Sequence, residues 1–473
     1  MKHSIIFLSA AAALVLAACT QEIVPQEQIV PEDNTPVVAG PTSFKVTFES
    51  DPDTKTVIGL NGDGKPQCFW ENGDAISLYT SADGSTTVEG YKFTTTLSAN
   101  STSATFEFDD AKTFQKGNYF ATYPFRADVR GVNYGTSPYR IAAVDVPKSQ
   151  KLVAGTYDKK ACPMTAFAPE GSTTLEFKNA AAMLKFRVSE SNILGGQVIV
   201  DKADAISGRF LAELNTSTLI PNLCTYNQPY YNYIDFSIDG STALSPGTDY
   251  YIVVRPTELT SDLKIYLNGN LVKVINKSLF PAIERNKIYN LGTLTTPATP
   301  LEKHLTFDFT ISPLTGWPTT SGSHHGESRT YPLYGIDYSF ILTDCGGATK
   351  CQTYWAKNDP GYRLALAAQY RYFGLPVISG YKLIQVICVN KQLSASDSTS
   401  KPKMGITHTI TSSAAAAPDN HYVSGGEVQT WNTPTGGGTY TYDLIGTDDA
   451  TQYYLYALAK GAVATLTLTY VPI

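Results

Sequence analysis

Phe44-Lys45-Val46-Thr47-Phe48 alternates strictly between apolar and polar residues, and the same period of two returns at 75–79, 91–97, 104–108 and 119–123. Side chains on successive strand residues point to opposite faces, so this pattern predicts short strands with one face buried. Asn61-Gly62-Asp63-Gly64, Ala82-Asp83-Gly84-Ser85 and Lys116-Gly117-Asn118 separate the runs and supply turn residues. A second block follows the loop around Pro163 and Pro169, with runs at 182–188, 196–200, 208–214, 250–255, 263–267 and 271–275, ending at Lys287-Ile288-Tyr289-Asn290-Leu291-Gly292. After Thr295-Thr296-Pro297-Ala298-Thr299-Pro300, a linker by composition, a third block has runs at 304–311, 338–343, 361–367, 380–390, 404–410, 439–444, 452–458 and 462–470. No helical period of ten residues interrupts the strands, which predicts an all-β chain of antiparallel sandwiches.

The boundaries implied are 43–179, 180–296 and 301–473, the last isolated by its proline-flanked linker and expected to fold by itself. Its eight runs suit a jelly roll. The segment 370–387 is similar at fold level to the centre of galactose-binding-like domains.

Before residue 43 the pattern changes. Lys2 precedes an apolar run from Ile5 to Ala18, and Leu16-Ala17-Ala18-Cys19 closes it with small residues, the anatomy of a secretory signal over 1–18. The run is too short to span a bilayer stably. Its last four residues resemble the lipobox of bacterial lipoproteins, which makes Cys19 the expected lipid attachment; an ordinary signal peptide with an incidental cysteine is the alternative. Residues 19–42 carry Pro25, Pro31, Pro36 and Pro41 among acidic and polar residues and read as a disordered tether. Thr20 directly after the cysteine resembles lipoproteins sent to the outer membrane.

Composition narrows the function classes. Only 16% of the 473 residues are charged, whereas Tyr reaches 30 and Gly 36, a balance suited to turn-rich β proteins. The net charge of -6 and the absence of clustered Lys and Arg speak against nucleic acid. Of the cysteines after Cys19, only Cys345 and Cys351 are close in sequence, and a bridge between them would be worth roughly 2 kcal/mol by chain entropy. Cys68, Cys162, Cys224 and Cys388 sit among apolar neighbours, as free buried thiols do.

Several runs carry a family resemblance. Thr54-Lys55-Thr56, Phe69-Trp70-Glu71-Asn72-Gly73-Asp74-Ala75-Ile76-Ser77-Leu78-Tyr79, Leu244-Ser245-Pro246-Gly247-Thr248-Asp249-Tyr250 continuing to Pro256, and the 286–291 ending are similar, in order and spacing, to the fimbrillins. The resemblance covers about residues 43–296 and implies two transthyretin-like β-sandwich domains in a lipoprotein that forms or decorates pili. In polymerising fimbrillins a cut after an arginine near the mature N-terminus removes a strand and opens a groove for the next subunit's donor strand. This chain has no arginine before Arg126. The resemblance therefore implies a retained anchor, in a basal or accessory subunit or in a stand-alone surface protein.

Chemistry is sparse. No Gly-x-Ser-x-Gly elbow, His-Glu-x-x-His helix, phosphate-binding glycine loop or Cys-x-x-Cys pair occurs, so no catalytic residues are assigned and no cofactor is expected. His324-His325 are adjacent and their side chains should diverge. Asp344, Asn358 and Asp359 suit either turns or a structural calcium. Trp317, Trp355 and Trp431 stand beside loop residues and, with Asn358 and Asp359, form the expected ligand site, because aromatic faces stack on the C–H faces of sugars; the alternative is that they close the ends of the core. The expectation is a non-catalytic, surface-exposed adhesin lipid-anchored in the outer membrane, with pilus subunits and a glycan or host protein as partners. A surface glycan-binding or glycan-processing lipoprotein outside pili is the second reading.

Overall fold

The computed structural model describes residues 39–473 except 50–58, 61–65, 68, 81–86, 110–112, 133–139, 202, 216–219, 225–229, 239–241, 345–350, 359–360, 368–370, 392–402, 411–421, 431–437 and 448–450. Cys19 and most of the tether therefore lie outside the described residues, as do Cys68 and Thr54-Lys55-Thr56. The chain is all-β, and the described residues contain a single 3-10 turn, Lys159–Ala161.

The first body is a closed seven-stranded barrel in the order Ser43–Phe48, Thr174–Asn179, Met164–Ala168, Tyr119–Tyr123, Ala75–Thr80, Tyr91–Thr95, Ser103–Phe108. The alternation read at residue 44 puts Phe44 and Val46 inside, fully buried, and Lys45 outside. Trp70 fills the barrel with Phe93, Phe106, Tyr119 and Phe177, its ring stacked on Phe48 at 4.4 Å. The Trp-Glu-Asn-Gly-Asp run has a local cause. Gly73 takes φ +83 in the turn, and Asp74 accepts hydrogen bonds from the Glu71 N–H at 2.8 Å and the Tyr123 hydroxyl at 3.2 Å, so the chain can enter Ala75–Thr80 directly. Met164–Ala168 and Thr174–Asn179 went unread because prolines flank the first and small residues dilute its pattern. These two strands, with the Ser43 strand, close the first β-sandwich body edge to edge.

The second body is built on Ala182–Val188, which pairs antiparallel with Tyr250–Val254 and parallel with Ile288–Leu294. Both faces of this sheet are covered. Leu184, Phe186, Tyr250, Ile252 and Val254 enter one core, while Met183, Tyr251 and Val253 enter another against Val144, Val146 and Phe210. That is why these strands read as nearly continuous apolar runs. The boundary expected at 179 does not hold for the segment that supplies Val144 and Val146. Arg140–Val146 pairs with Ser207–Asn215, and Ser149–Lys151 runs parallel to Tyr233–Ser237. Buried Gln150 acts as a missing strand partner, donating to the Val253 carbonyl at 2.6 Å and accepting from its N–H at 2.9 Å. The segment thus leaves the barrel, completes the second body and returns.

The third body is a two-sheet sandwich. Gly461–Pro472 is the spine of one sheet, with Tyr381–Lys391 along one edge and Lys303–Asp308 and Gly361–Leu366 along the other. The facing sheet orders Glu327–Leu333, Ile336–Asp344, Arg371–Gly374, Tyr454–Ala459, Lys403–Thr407 and Gln429–Thr430. Glu327–Leu333 was illegible because it is an edge strand whose only fully buried side chain is Tyr331, with Pro332 tolerated at the edge.

The linker does not isolate this body. Asn270–Ile275 of the second body pairs with Lys303–Asp308, joining the two into one eleven-stranded sheet. The Leu271 N–H donates to the Glu302 carbonyl at 2.9 Å and the His304 N–H to the Gly269 carbonyl at 2.8 Å. Asn268 (φ +47) and Gly269 (φ +77) form the two-residue turn between Leu263–Leu267 and Asn270–Ile275, and Leu305 packs where a Gly269 Cβ would stand. An unpaired sheet edge beside a six-residue linker costs less when it is paired than when it is left to water.

Candidate functional site

Two places gather the residues singled out by the sequence: the seam made by the first strand and the polar end of the third body.

At the seam, Ser43–Phe48 lies between Thr174–Asn179, parallel, and Ser103–Phe108, antiparallel, with Val46 opposite Leu175 and Phe44 opposite Phe106. Its departure would open a groove along the whole barrel wall. The strand is also clasped at its end. The Glu49 carboxylate receives both Arg285 guanidinium nitrogens at 3.1 Å and the Asn179 N–H at 2.8 Å; Arg285 also donates to the Asn179 carbonyl at 2.9 Å. The Asn179 side chain donates to the Asn286 carboxamide oxygen at 2.7 Å. Asn286 sits at φ +57 as the first residue of the fimbrillin-like ending, so that motif's turn positions the clasp. Sequence reasoning missed Glu49 and Arg285, which are 236 residues apart and carry no joint signal.

In the third body the expected exposed tryptophans are core residues. Trp355 is fully buried and Trp317 is 6% exposed. The Trp355 indole N–H donates to the Phe309 carbonyl at 3.0 Å and that of Trp317 to the Thr330 carbonyl at 2.8 Å, with the rings 5.3 Å apart edge to face. An indole buried with its N–H satisfied has no face left for a sugar, so these two close the core instead. Trp431 and Asp359 lie outside the described residues. Asn358 ends Thr353–Asn358 opposite Gly361 and so flanks the turn between this strand and Gly361–Leu366.

Asp344, His325 and Cys351 do meet, around a residue not singled out as polar, Arg371. The Asp344 carboxylate is fully buried, 3.2 Å from the Arg371 guanidinium, and accepts from the Gln352 N–H at 3.0 Å. The Asp344 N–H donates to His325 Nδ1 at 3.1 Å. Burial pushes this carboxyl up and the Arg371 charge opposes it. His324 turns away to Glu327 at 3.3 Å, so the adjacent imidazoles diverge as expected. Cys351 carries a free thiol, pushed up to about 11 by burial, whose sulfur accepts from the Thr353 N–H at 3.4 Å. Cys345, its expected disulfide partner, lies outside the described residues. A protonated, buried thiol is a poor nucleophile. Among the described residues no group of three or more His, Cys, Asp or Glu is arranged to hold a metal, and an aspartate already neutralised by Arg371 is a poor calcium ligand. The cluster pins strand ends together. Arg371 could have been noticed as a charge next to an apolar run.

Cys162 and Cys388 are free and buried, as their apolar neighbours suggested.

No family model matches the sequence, and no curated protein matches it. Solved structures do. One from Bacteroides uniformis, named for a proposed role in cell adhesion, is 16% identical and covers 53% of this chain and 93% of its own, at a TM-score of 0.32. A fimbrial protein from Bacteroides ovatus is 15% identical over 54% of this chain and 50% of its own, at 0.24. The C-terminally truncated tip fimbrial protein Mfa3 from Porphyromonas gingivalis is 12% identical over 54% of this chain and 96% of its own, at 0.26.

Proposed function

We propose that the chain is a lipid-anchored, pilus-associated adhesin subunit of the bacterial cell surface that acts without catalysis. The observation that carries this reading is where the fimbrillin-like runs fall. Trp70 to Tyr79 supplies the turn and core of the barrel, Leu244 to Val254 and 286–291 supply those of the second body, and the first strand occupies the barrel seam between Thr174–Asn179 and Ser103–Phe108. The third body is fused to the second by a shared sheet. Cys19 anchors the chain in the outer membrane through its lipid.

The clasped first strand favours a subunit that keeps its own strand, at the base or as an accessory, over one that gives it up to form a shaft. Immunogold electron microscopy of cells tests the assignment; label on fibres or at fibre bases is expected, and label spread over a fibre-free surface would refute it. Cys19→Ser should shift the protein to soluble fractions. Mass spectrometry of the surface-extracted protein should find residues 43–48 still attached.

A further inference from the structure

Trp317 and Trp355 are in the core, and the second body carries an open groove of another kind. Where the chain crosses from Arg140–Val146 to Ser149–Lys151 it leaves an open groove of about 840 Å³, solvent included, lined by Asp145, Lys148, Ser149, Gly208, Arg209 and Tyr231. The register explains the grouping. Asp145 is opposite Arg209 and Val146 opposite Gly208, while Ser207 is opposite Tyr231. Cross-strand partners share a face, so an acid, a guanidinium and a phenol ring are set around one depression. Gly208, at φ +104, gives its floor a backbone path that a residue with a Cβ rarely follows.

The charges are unequally used. The Asp145 carboxylate is held by Arg126 at 2.5 Å, and Arg209 pairs with Asp128, which Arg126 also meets at 2.9 Å. Lys148 makes no ion pair among the described residues. Its ammonium lies 4.7 Å from the Tyr231 ring centroid and 5.8 Å from that of Tyr233, while its backbone carbonyl is fixed by the Asp235 N–H at 2.7 Å. Arg126 and Arg209 are answered by Asp128 and Asp145, and Lys148 is near enough to Asp235 to favour its ionised form, but the Lys148 ammonium itself rests on an aromatic platform beside the exposed Tyr230. An ammonium on an aromatic face keeps much of its charge available to an anion.

We propose that this groove binds a carboxylated saccharide, a uronic or sialic acid residue. Its carboxylate takes Lys148 and Arg209, its hydroxyls donate to Asp145 and Ser149, and its ring packs beside Tyr231 and the Lys148 ammonium that covers one face of that phenol. An acidic peptide offers one backbone N–H donor per residue, whereas a sugar ring carries several hydroxyls beside its carboxylate that can donate to Asp145 and Ser149 together. The inference rests on the adhesin reading for its purpose. Purified protein tests it apart from localisation, so a failure here and a failure to find the protein on fibres are separate results.

The test is calorimetric titration of the full mature chain at low salt with hexagalacturonate, 3′-sialyllactose, maltohexaose and poly-L-glutamate. Binding of at least one of the two carboxylated saccharides is expected, weakened by added salt, with maltohexaose silent. Lys148→Gln should weaken that binding about tenfold and Lys148→Arg less than threefold, both with unchanged thermal unfolding, since the side chain packs on the surface of its rings. If neither carboxylated saccharide binds the folded wild type, if Lys148→Gln binds as well as wild type, or if poly-L-glutamate binds as tightly as the saccharide, the proposal is overturned.

Discussion

The three bodies are joined by two junctions made of different material. Between barrel and second body the contacts are side chains, with ion pairs of Glu49 with Arg285, Arg126 with Asp145, and Arg209 with Asp128 beside an apolar patch in which Cys162 joins Val144, Met183 and Val253. Between second and third bodies the contact is backbone, a strand pair that continues one sheet, reinforced by Glu302 receiving Lys264 at 2.8 Å and the Tyr266 hydroxyl at 2.5 Å. A clasp of ion pairs depends on two specific side chains and on the screening around them. A shared sheet depends on backbone register, which most substitutions leave alone. The second and third bodies should therefore unfold together, and the barrel separately from them.

The largest test of that contrast is Trp355→Ala, which removes a fully buried indole and should cost about 3–5 kcal/mol. Chemical denaturation followed by hydrogen exchange should show the second and third bodies destabilised together. Trp70→Ala, of similar size, should lower the barrel's transition and leave the other two. If Trp355→Ala leaves the second body's protection unchanged, the shared sheet does not couple them.

Next in size, Arg285→Met leaves the nearly buried Glu49 carboxylate without its partner and should cost about 3 kcal/mol. The loss should fall on the attachment of residues 43–49, read as faster proteolysis at the tether. Restoring that protection by adding Glu49→Gln would show that the unpaired charge, more than lost packing, drives the effect.

Gly269→Ala attacks the other junction. A non-glycine residue at φ +77, with Leu305 2.4 Å from the new Cβ, should cost about 2 kcal/mol. Thermal unfolding of the second and third bodies should broaden or split, because the turn that sets their register is strained.

The smallest expected effect concerns pH at the same junction. Burial lowers His304 to about 4 and raises Asp235 to about 6. A histidine depressed in the folded state loses stability as pH falls from its unfolded value near 6.5 toward 4. An aspartate raised in the folded state has its stabilising contribution below about 4 and loses it as pH rises through 6. Between pH 5 and 6 the two slopes, each about 1 kcal/mol per unit, oppose each other, so the wild type should be nearly flat. His304→Gln should make stability fall with rising pH in that window, and Asp235→Asn should make it rise. Parallel slopes in the two variants would contradict the assignment.

Much of the fold was legible in the chain. Alternation at residues 44–48 placed Phe44 and Val46 inward because a strand's period of two is local, and Gly73-Asp74 and the Leu244 to Val254 run announced turns that their own side chains make. The apolar spelling of 182–188 and 250–254 even encoded burial on both faces. What alternation does not encode is which surface covers a strand. It could not place Arg140–Val146 on the second body, close the sandwich into a barrel, or join Lys303–Asp308 to Asn270–Ile275, since pairing partners are chosen by tertiary geometry between distant segments. The same limit decided the site. A tryptophan beside loop residues reads identically whether it faces solvent or core, and only packing put Trp355 inside. Asp145, Lys148, Arg209 and Tyr231 are scattered over 86 residues, in a chain otherwise poor in charge, and the pairing of distant strands in one sheet set them around one groove.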